Sequence, residues 1–409
     1  MTYAVRGLGV VFPLVLVSTL TACSLVQLDS QAATASTTPS TAAYVYIQIQ
    51  GPQGSDFGTS VYGFRASSTG QLSTIPGSPF KPAGRIVGAT PTKFFTLGED
   101  LIHSYGIASD GAIESQLSQI PFFDYSGNEC GPSNSVQQGA VLDHTGRYIY
   151  VLLWCGGEYI APYEYRYQSA EYQTYLIHSD GAFSNDGDAV VQASSGGYTG
   201  YLPSILGNER FAYAAEPVAQ NTALVGFRRT PAGTLELMEF TESDPTPSKE
   251  GYFADSPDAS PTGNYLVLQL YPGETTNPAQ FGTYTVASNG NISTTNTWSN
   301  MPVTSLYQPH STFSPSGNLF VAYGGNEAIG ANGNGIEIYK FNGAAPLTLY
   351  QTLLRGTRIN DVKWDGSNHM YAISTANNML YVFTVTSTSV TEDSSWSIGS
   401  PSKMVVVSK

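Results

Sequence analysis

Tyr44-Val-Tyr-Ile-Gln-Ile, then Val61-Tyr-Gly-Phe, then Ser68-Thr-Gly-Gln-Leu form the stretch that decides the fold. It reads as an apolar strand, a second strand, a tight turn on Ser-x-Gly and a third strand. The same phrase returns as Phe211-Ala-Tyr-Ala-Ala, Leu224-Val-Gly-Phe and Pro231-Ala-Gly-Thr-Leu. It returns again as Tyr265-Leu-Val-Leu, Phe281-Gly-Thr-Tyr-Thr-Val and Ser288-Asn-Gly-Asn-Ile. A β unit recurring every ~40–60 residues is the pattern of a propeller blade.

The turn glycines count the blades. They stand at Gly70, Gly111, Gly181, Gly233, Gly290 and Gly343. The widest gap, Gly111 to Gly181, contains two cysteines and the Tyr/Glu-rich run Glu158 to Tyr175, which predicts an insertion in that blade. A last unit lacks the glycine but keeps Ile359-Asn-Asp-Val-Lys-Trp, His369-Met-Tyr-Ala-Ile and Met379-Leu-Tyr-Val-Phe, making seven. Most units open with a second phrase: Leu142-Asp-His-Thr-Gly-Arg-Tyr, Ala259-Ser-Pro-Thr-Gly-Asn-Tyr and Phe313-Ser-Pro-Ser-Gly-Asn-Leu. Each is an inner strand ending in a turn whose glycine needs positive φ. The first unit starts on its second strand at Tyr44, and Met404-Val-Val-Val near the C-terminus has no partner after it. The expected fold is all-β, a seven-bladed propeller closed by the C-terminal strand pairing into the first blade, which removes open strand edges.

The N-terminal stretch has a different character. Arg6 precedes the apolar run Gly7 to Thr19, which is too short for a comfortable membrane span and reads as a signal-peptide core. Leu20-Thr-Ala-Cys23 looks like a bacterial lipobox, so residues 1–22 are expected to be removed and Cys23 lipidated. The alternative is an ordinary signal peptide with an incidental cysteine. Residues 23–42, rich in Ser, Thr and Ala, read as a tether, and the propeller as 43–409. This places the chain outside the cytoplasm, in the periplasm, at the outer membrane or on the cell surface, and touching the membrane only through its lipid.

Net charge is −14, from 17 Lys+Arg against 31 Asp+Glu, with no basic run, which excludes a phosphate-backbone binder such as a nucleic-acid protein. Cys130 and Cys155 are either a disulfide, as an oxidising compartment favours, or two free thiols. Their spacing is not that of a metal site, and no metal or cofactor motif occurs. Asn185-Asp-Gly-Asp188 lacks the closing glutamate of a calcium loop, and Gly330-Ala-Asn-Gly-Asn-Gly does not join a strand to a helix as a phosphate loop would. The Tyr run 159–175 is read as packing or as a saccharide-stacking surface. His103, His178 and His369 read as satisfied strand residues, and His144 as pointing away from the channel. His310, ahead of an inner strand, is a candidate for ligand contact or acid–base work.

The phrase from Tyr44 to Ile75-Pro-Gly-Ser-Pro-Phe80 resembles the lactonase-type seven-bladed propeller family, which includes a 6-phosphogluconolactonase and the carboxymuconate-lactonizing enzyme. The resemblance implies a catalytic glutamate matched by Glu216 in Ala214-Ala-Glu-Pro. It also implies a histidine ahead of the third unit's turn, where Val136 to Asp143 has none, and an arginine after the sixth unit's second strand, where Tyr323-Gly-Gly-Asn-Glu has none. With one of three groups kept, the leading expectation is a monomeric binding or interaction module taking a small molecule, a saccharide or a protein at the channel mouth. The alternative is a lactone hydrolase using Glu216.

Overall fold

The computed structural model describes residues 40–51, 60–122, 135–156, 158–159, 165–166, 169–192, 202–217, 222–238, 252–272, 279–306, 309–324 and 333–409. Cys23, Cys130, the signal peptide, most of the tether and Gly330 lie outside them. Seven four-stranded antiparallel sheets make up the ring. We number them as blades 1 to 7, with inner strands Pro401–Ser408, Arg85–Ala89, Ser135–Leu142, Ser204–Ile205, Tyr252–Ala259, His310–Phe313 and Asp361–Trp364. The C-terminal strand is the inner strand of blade 1. It pairs antiparallel with Thr41–Ile49, Tyr44 opposite Val407 and Ile47 opposite Met404. The first strand begins slightly before the expected boundary at residue 43.

The second strand of each blade reads as a nearly unbroken apolar run because both of its faces are covered. Side chains alternate across a strand, so neighbouring residues face neighbouring blades. Val45 and Ile47 pack with Tyr371 and Ile373 of blade 7. Tyr44 and Tyr46 pack with Ile86 and Phe94 of blade 2. The alternation continues around the ring and produces one apolar cluster at every blade junction.

A polar clip repeats at the same junctions. Tyr46 donates to the Gly111 carbonyl (2.8 Å), Ser104 to Gly181 (2.7 Å), Tyr150 to Gly233 (2.7 Å) and Tyr213 to Gly290 (2.6 Å). Thr283 donates to Ala344 (3.0 Å), Tyr350 to Thr386 (3.3 Å) and Ser394 to Gly70 (3.3 Å). Each blade thus donates to the next one's outer turn, and blade 7 to blade 1. Gly233 shows why the turn is glycine: φ is +88°, and a Cβ there would sit 2.3 Å from the Tyr148 ring.

The wide gap between Gly111 and Gly181 holds an insertion in blade 3, as the sequence predicts, but not all of the Tyr/Glu-rich run belongs to it. Only part of Glu158 to Tyr175 is inserted, as a short hairpin pairing Glu158–Tyr159 with Tyr165–Arg166. Ser169–Ile177 is the third strand of blade 3, and its Tyr172 and Tyr175 are fully buried core side chains. These tyrosines serve packing.

Candidate functional site

A cavity of about 500 Å³ is bordered by the inner strands of blades 3 to 6. Its side chains are set by register. Val141, Ser204, Asp258, Thr312 and Lys363 stand opposite Tyr150, Tyr213, Val267, Val321 and Tyr371, the same position in blades 3 to 7. They form one layer, in which blades 5 and 7 contribute an acid and a base. His310 and Asp361 occupy the next layer, opposite Tyr323 and Ile373.

Asp258 follows a bulge. Asp255 pairs with Gln269 and Asp258 with Val267, so Ser256 and Pro257 together oppose one residue. Such a bulge re-aims side chains, and proline is tolerated because an inner strand is a sheet edge. Bulges also interrupt the inner strands of blades 1, 2 and 3. The open edge is managed by side chains of adjacent blades. Gln48 accepts from Ile86 N (2.7 Å), Ser204 from Ala259 N (2.8 Å) and Asp361 Oδ2 from Met404 N (2.9 Å).

The Asp258 carboxyl opens onto the cavity but is surrounded by protein. Burial pushes its pKa up to about 6, while a hydrogen bond from Ser311 and the charge of Lys363 pull the other way. Lys363 Nζ lies 2.9 Å from Asp361 Oδ1, which also accepts from the buried Tyr323 hydroxyl at 3.2 Å. Burial first, then the charges of Asp361 and Asp258, raises the Tyr323 pKa, so this phenol remains a donor. Asp258 and Tyr323 thus border the cavity, and Lys363, paired with Asp361, lies within electrostatic reach of Asp258. Leu202 borders both this cavity and a smaller one of about 160 Å³ lined by Gln48, Arg85, Ser402 and Lys403.

His310 is exposed on the cavity wall with its ring 5.8 Å from that of Tyr323, where a ligand-contacting histidine was expected. Glu216 lies near the end of the second strand of blade 4, opposite Ala223, and its side chain is outside the described residues. Cys155 is buried and disulfide-bonded. Two histidines differ from expectation. His144, expected to be remote from the channel, borders the cavity, with its ring 3.4 Å from Glu209 on the neighbouring blade's turn. His103 is not satisfied: its Nδ1 is buried without a partner, and burial lowers its pKa against the opposing pull of Gln116 and Asp100. His369 is held by Asp365 at 2.8 Å, and His178 sits in an exposed turn beside Ser184 at 3.2 Å. Among the described residues no group of three or more His, Cys, Asp or Glu is placed to hold a metal ion.

Asp258 and Lys363 were missed. The signal was present: aligning the turn phrases of blades 5 and 7 puts both residues two positions before the turn, where blades 3, 4 and 6 carry Val141, Ser204 and Thr312.

No protein-family model matches the sequence, and no curated protein does. Solved structures do match the fold. A periplasmic gluconolactonase of Pseudomonas aeruginosa is 16% identical, with 90% of this chain and 99% of that one covered and a TM-score of 0.59. Proteins described as putative 6-phosphogluconolactonases, from Bacteroides uniformis (12% identical, 90% and 100% covered, TM-score 0.62) and Bacteroides fragilis (14%, 90% and 98%, 0.61), share it too. The fold is therefore that of the lactonase-type seven-bladed propellers.

Proposed function

We propose that this propeller opens a small lactone in its axial cavity, with Asp258 as general base. The carrying observation is the placement of Asp258: a carboxyl with its pKa at about 6, facing a cavity large enough for a sugar-sized ring, with Lys363 in the same layer. Ionised at neutral pH, Asp258 takes a proton from water as the water oxygen adds to the lactone carbonyl. Lys363 offers a cation to the developing oxyanion, while the Tyr323 hydroxyl keeps donating to Asp361. The ring C–O bond then breaks, and the leaving alkoxide takes the proton back from Asp258. The fold shared with a gluconolactonase supports this substrate class without naming the sugar.

The test is hydrolysis of a panel of simple lactones by the Cys23→Ser full chain. Asp258→Asn is expected to lower the rate by roughly 10²–10⁴-fold. Absence of turnover, or turnover unchanged in Asp258→Asn, overturns the assignment. Glu216→Gln in parallel separates the two carboxylates. A second reading, ligand capture without turnover, is favoured by the absent histidine before Asp143 and the absent arginine after Tyr323. Calorimetric lactone binding with no hydrolysis would establish it.

The compartment belongs to the same proposal. The disulfide at Cys155 suits an oxidising environment, with Cys130 as its partner and Cys23 as the lipid-bearing residue. Loss of palmitate labelling in Cys23→Ser supports the anchor; retained labelling removes it. The closed ring leaves only the short edges of its separate blades and is expected to run as a monomer in light scattering.

A further inference from the structure

Asp361 accepts from three different parts of the ring. Its Oδ1 takes Lys363 Nζ at 2.9 Å, two residues along its own strand, and the Tyr323 hydroxyl at 3.2 Å from blade 6. Its Oδ2 takes the backbone N–H of Met404 at 2.9 Å, on the strand that closes blade 1. The side chain is 7% exposed, so these bonds form away from bulk water, where polar geometry is costly to break. A lysine has four rotatable side-chain bonds and no preferred direction of its own. Without a fixed acceptor, Lys363, which is 38% exposed, would sample the cavity freely.

We propose that Asp361 is the positioning residue beside the cavity: it holds Lys363 and Tyr323 in fixed places near Asp258 and anchors that arrangement to the closing strand through Met404. The inference rests on the reading of Asp258 as the working carboxylate, but its primary test does not require turnover. Ser311 of blade 6 donates to Asp258, Lys363 of blade 7 and Tyr323 of blade 6 lie within electrostatic reach of it, and His310 of blade 6 with Asp143 and His144 of blade 3 share its cavity wall. Of these, Lys363 is the cation that acts on Asp258, and Asp361 is its counter-charge.

The experiment is a carboxyl-carbon NMR titration of Asp258 in the Cys23→Ser full chain, with kcat and KM for a lactone alongside. Asp361→Asn keeps an oxygen for Met404 N–H but removes the negative charge, leaving Lys363 uncompensated. The Asp258 midpoint is expected to fall by on the order of one pH unit. Lys363→Met removes the cation and is expected to raise it by a similar amount. Opposite shifts are the signature of a tuned pair. A residue that only holds the closing strand would lower the unfolding midpoint and leave the titration in place, and that result overturns the proposal. Should Asp361→Asn not fold, Lys363→Met carries the test alone, and an unmoved midpoint there is equally fatal. If the midpoints shift and no lactone is opened, the positioning role stands and the hydrolase reading falls. If lactones are opened and the midpoints stay, the reverse holds.

Discussion

Two aspartates border the same cavity and have opposite surroundings. Asp143, on the turn of blade 3, is sealed and fully satisfied. Its Oδ1 accepts Arg147 N and Tyr148 N, both at 2.9 Å, and its Oδ2 accepts Thr145 and Arg229, both at 2.6 Å. Arg229 in turn donates to Tyr150 at 2.8 Å and Glu209 at 3.1 Å, so the network spans blades 3 and 4. Burial alone would lower the Arg229 pKa, but Tyr150 and Asp143 reverse this and leave it raised. Asp258, on blade 5, has one hydroxyl partner and a cation committed elsewhere, and burial raises its pKa. A carboxylate whose every lone pair is answered serves structure. One left short of partners in a cavity keeps proton affinity to spend on a substrate.

The largest effect that tests this contrast is on stability. Arg229→Met leaves Asp143 buried without its cation and is expected to cost roughly 3–5 kcal/mol in denaturant unfolding, with no shift in the pH dependence of activity. A loss under ~1 kcal/mol would mean that the backbone amides alone hold Asp143. Next comes the pH dependence of stability at Asp258. Its folded pKa of about 6 exceeds the ordinary aspartate value of 3.8, so the folded state binds the proton more tightly and stability falls as pH rises from about 4 through about 6. The drop should be on the order of 1–3 kcal/mol and should vanish in Asp258→Asn, which is then the more stable protein at pH 8. A drop that persists in Asp258→Asn would assign the proton to another group. The smallest effect belongs to the clips: Tyr213→Phe removes a hydrogen bond to Gly290 and is expected to cost about 1 kcal/mol, leaving the Asp258 titration unmoved.

The scaffold was legible in the sequence because its constraints are local and repeated. The turn glycines do adopt positive φ, among them Gly70, Gly111, Gly181, Gly233, Gly290 and Gly343. Where the inner turns of blades 7 and 4 carry no glycine at the left-handed position, Asn368 takes φ +68° and Glu209 +59°. Met404 to Val407 closed the ring as expected. The site was legible only in part. His310 borders the cavity, and its place at the start of an inner strand is readable in the sequence. Asp258 was passed over because an acid beside Pro257 reads as loop, and only the bulge turns it toward the cavity. Lys363 sits inside a strand phrase, where a single lysine carries no signal until its register position is set beside those of the other blades. His144, in a turn, reads as solvent-bound because Glu209 reaches it from the neighbouring blade. Long-range pairings of this kind carry no local signature.

The pairing of Ala43 with Ser408 has a consequence for how the molecule comes into being. Blade 1 holds the first strand of the ring and the last, so throughout synthesis the strand Thr41–Ile49 waits with one edge bare. Six blades can assemble as they emerge, each resting on its predecessor, while the first remains unfinished until residues 401–408 arrive. Asp361 gains its contact to Met404 in that same final step. The growing chain is thus scaffold before it is an instrument, and its last strand completes both the circle and, through Ser402 and Lys403, the wall of the smaller cavity.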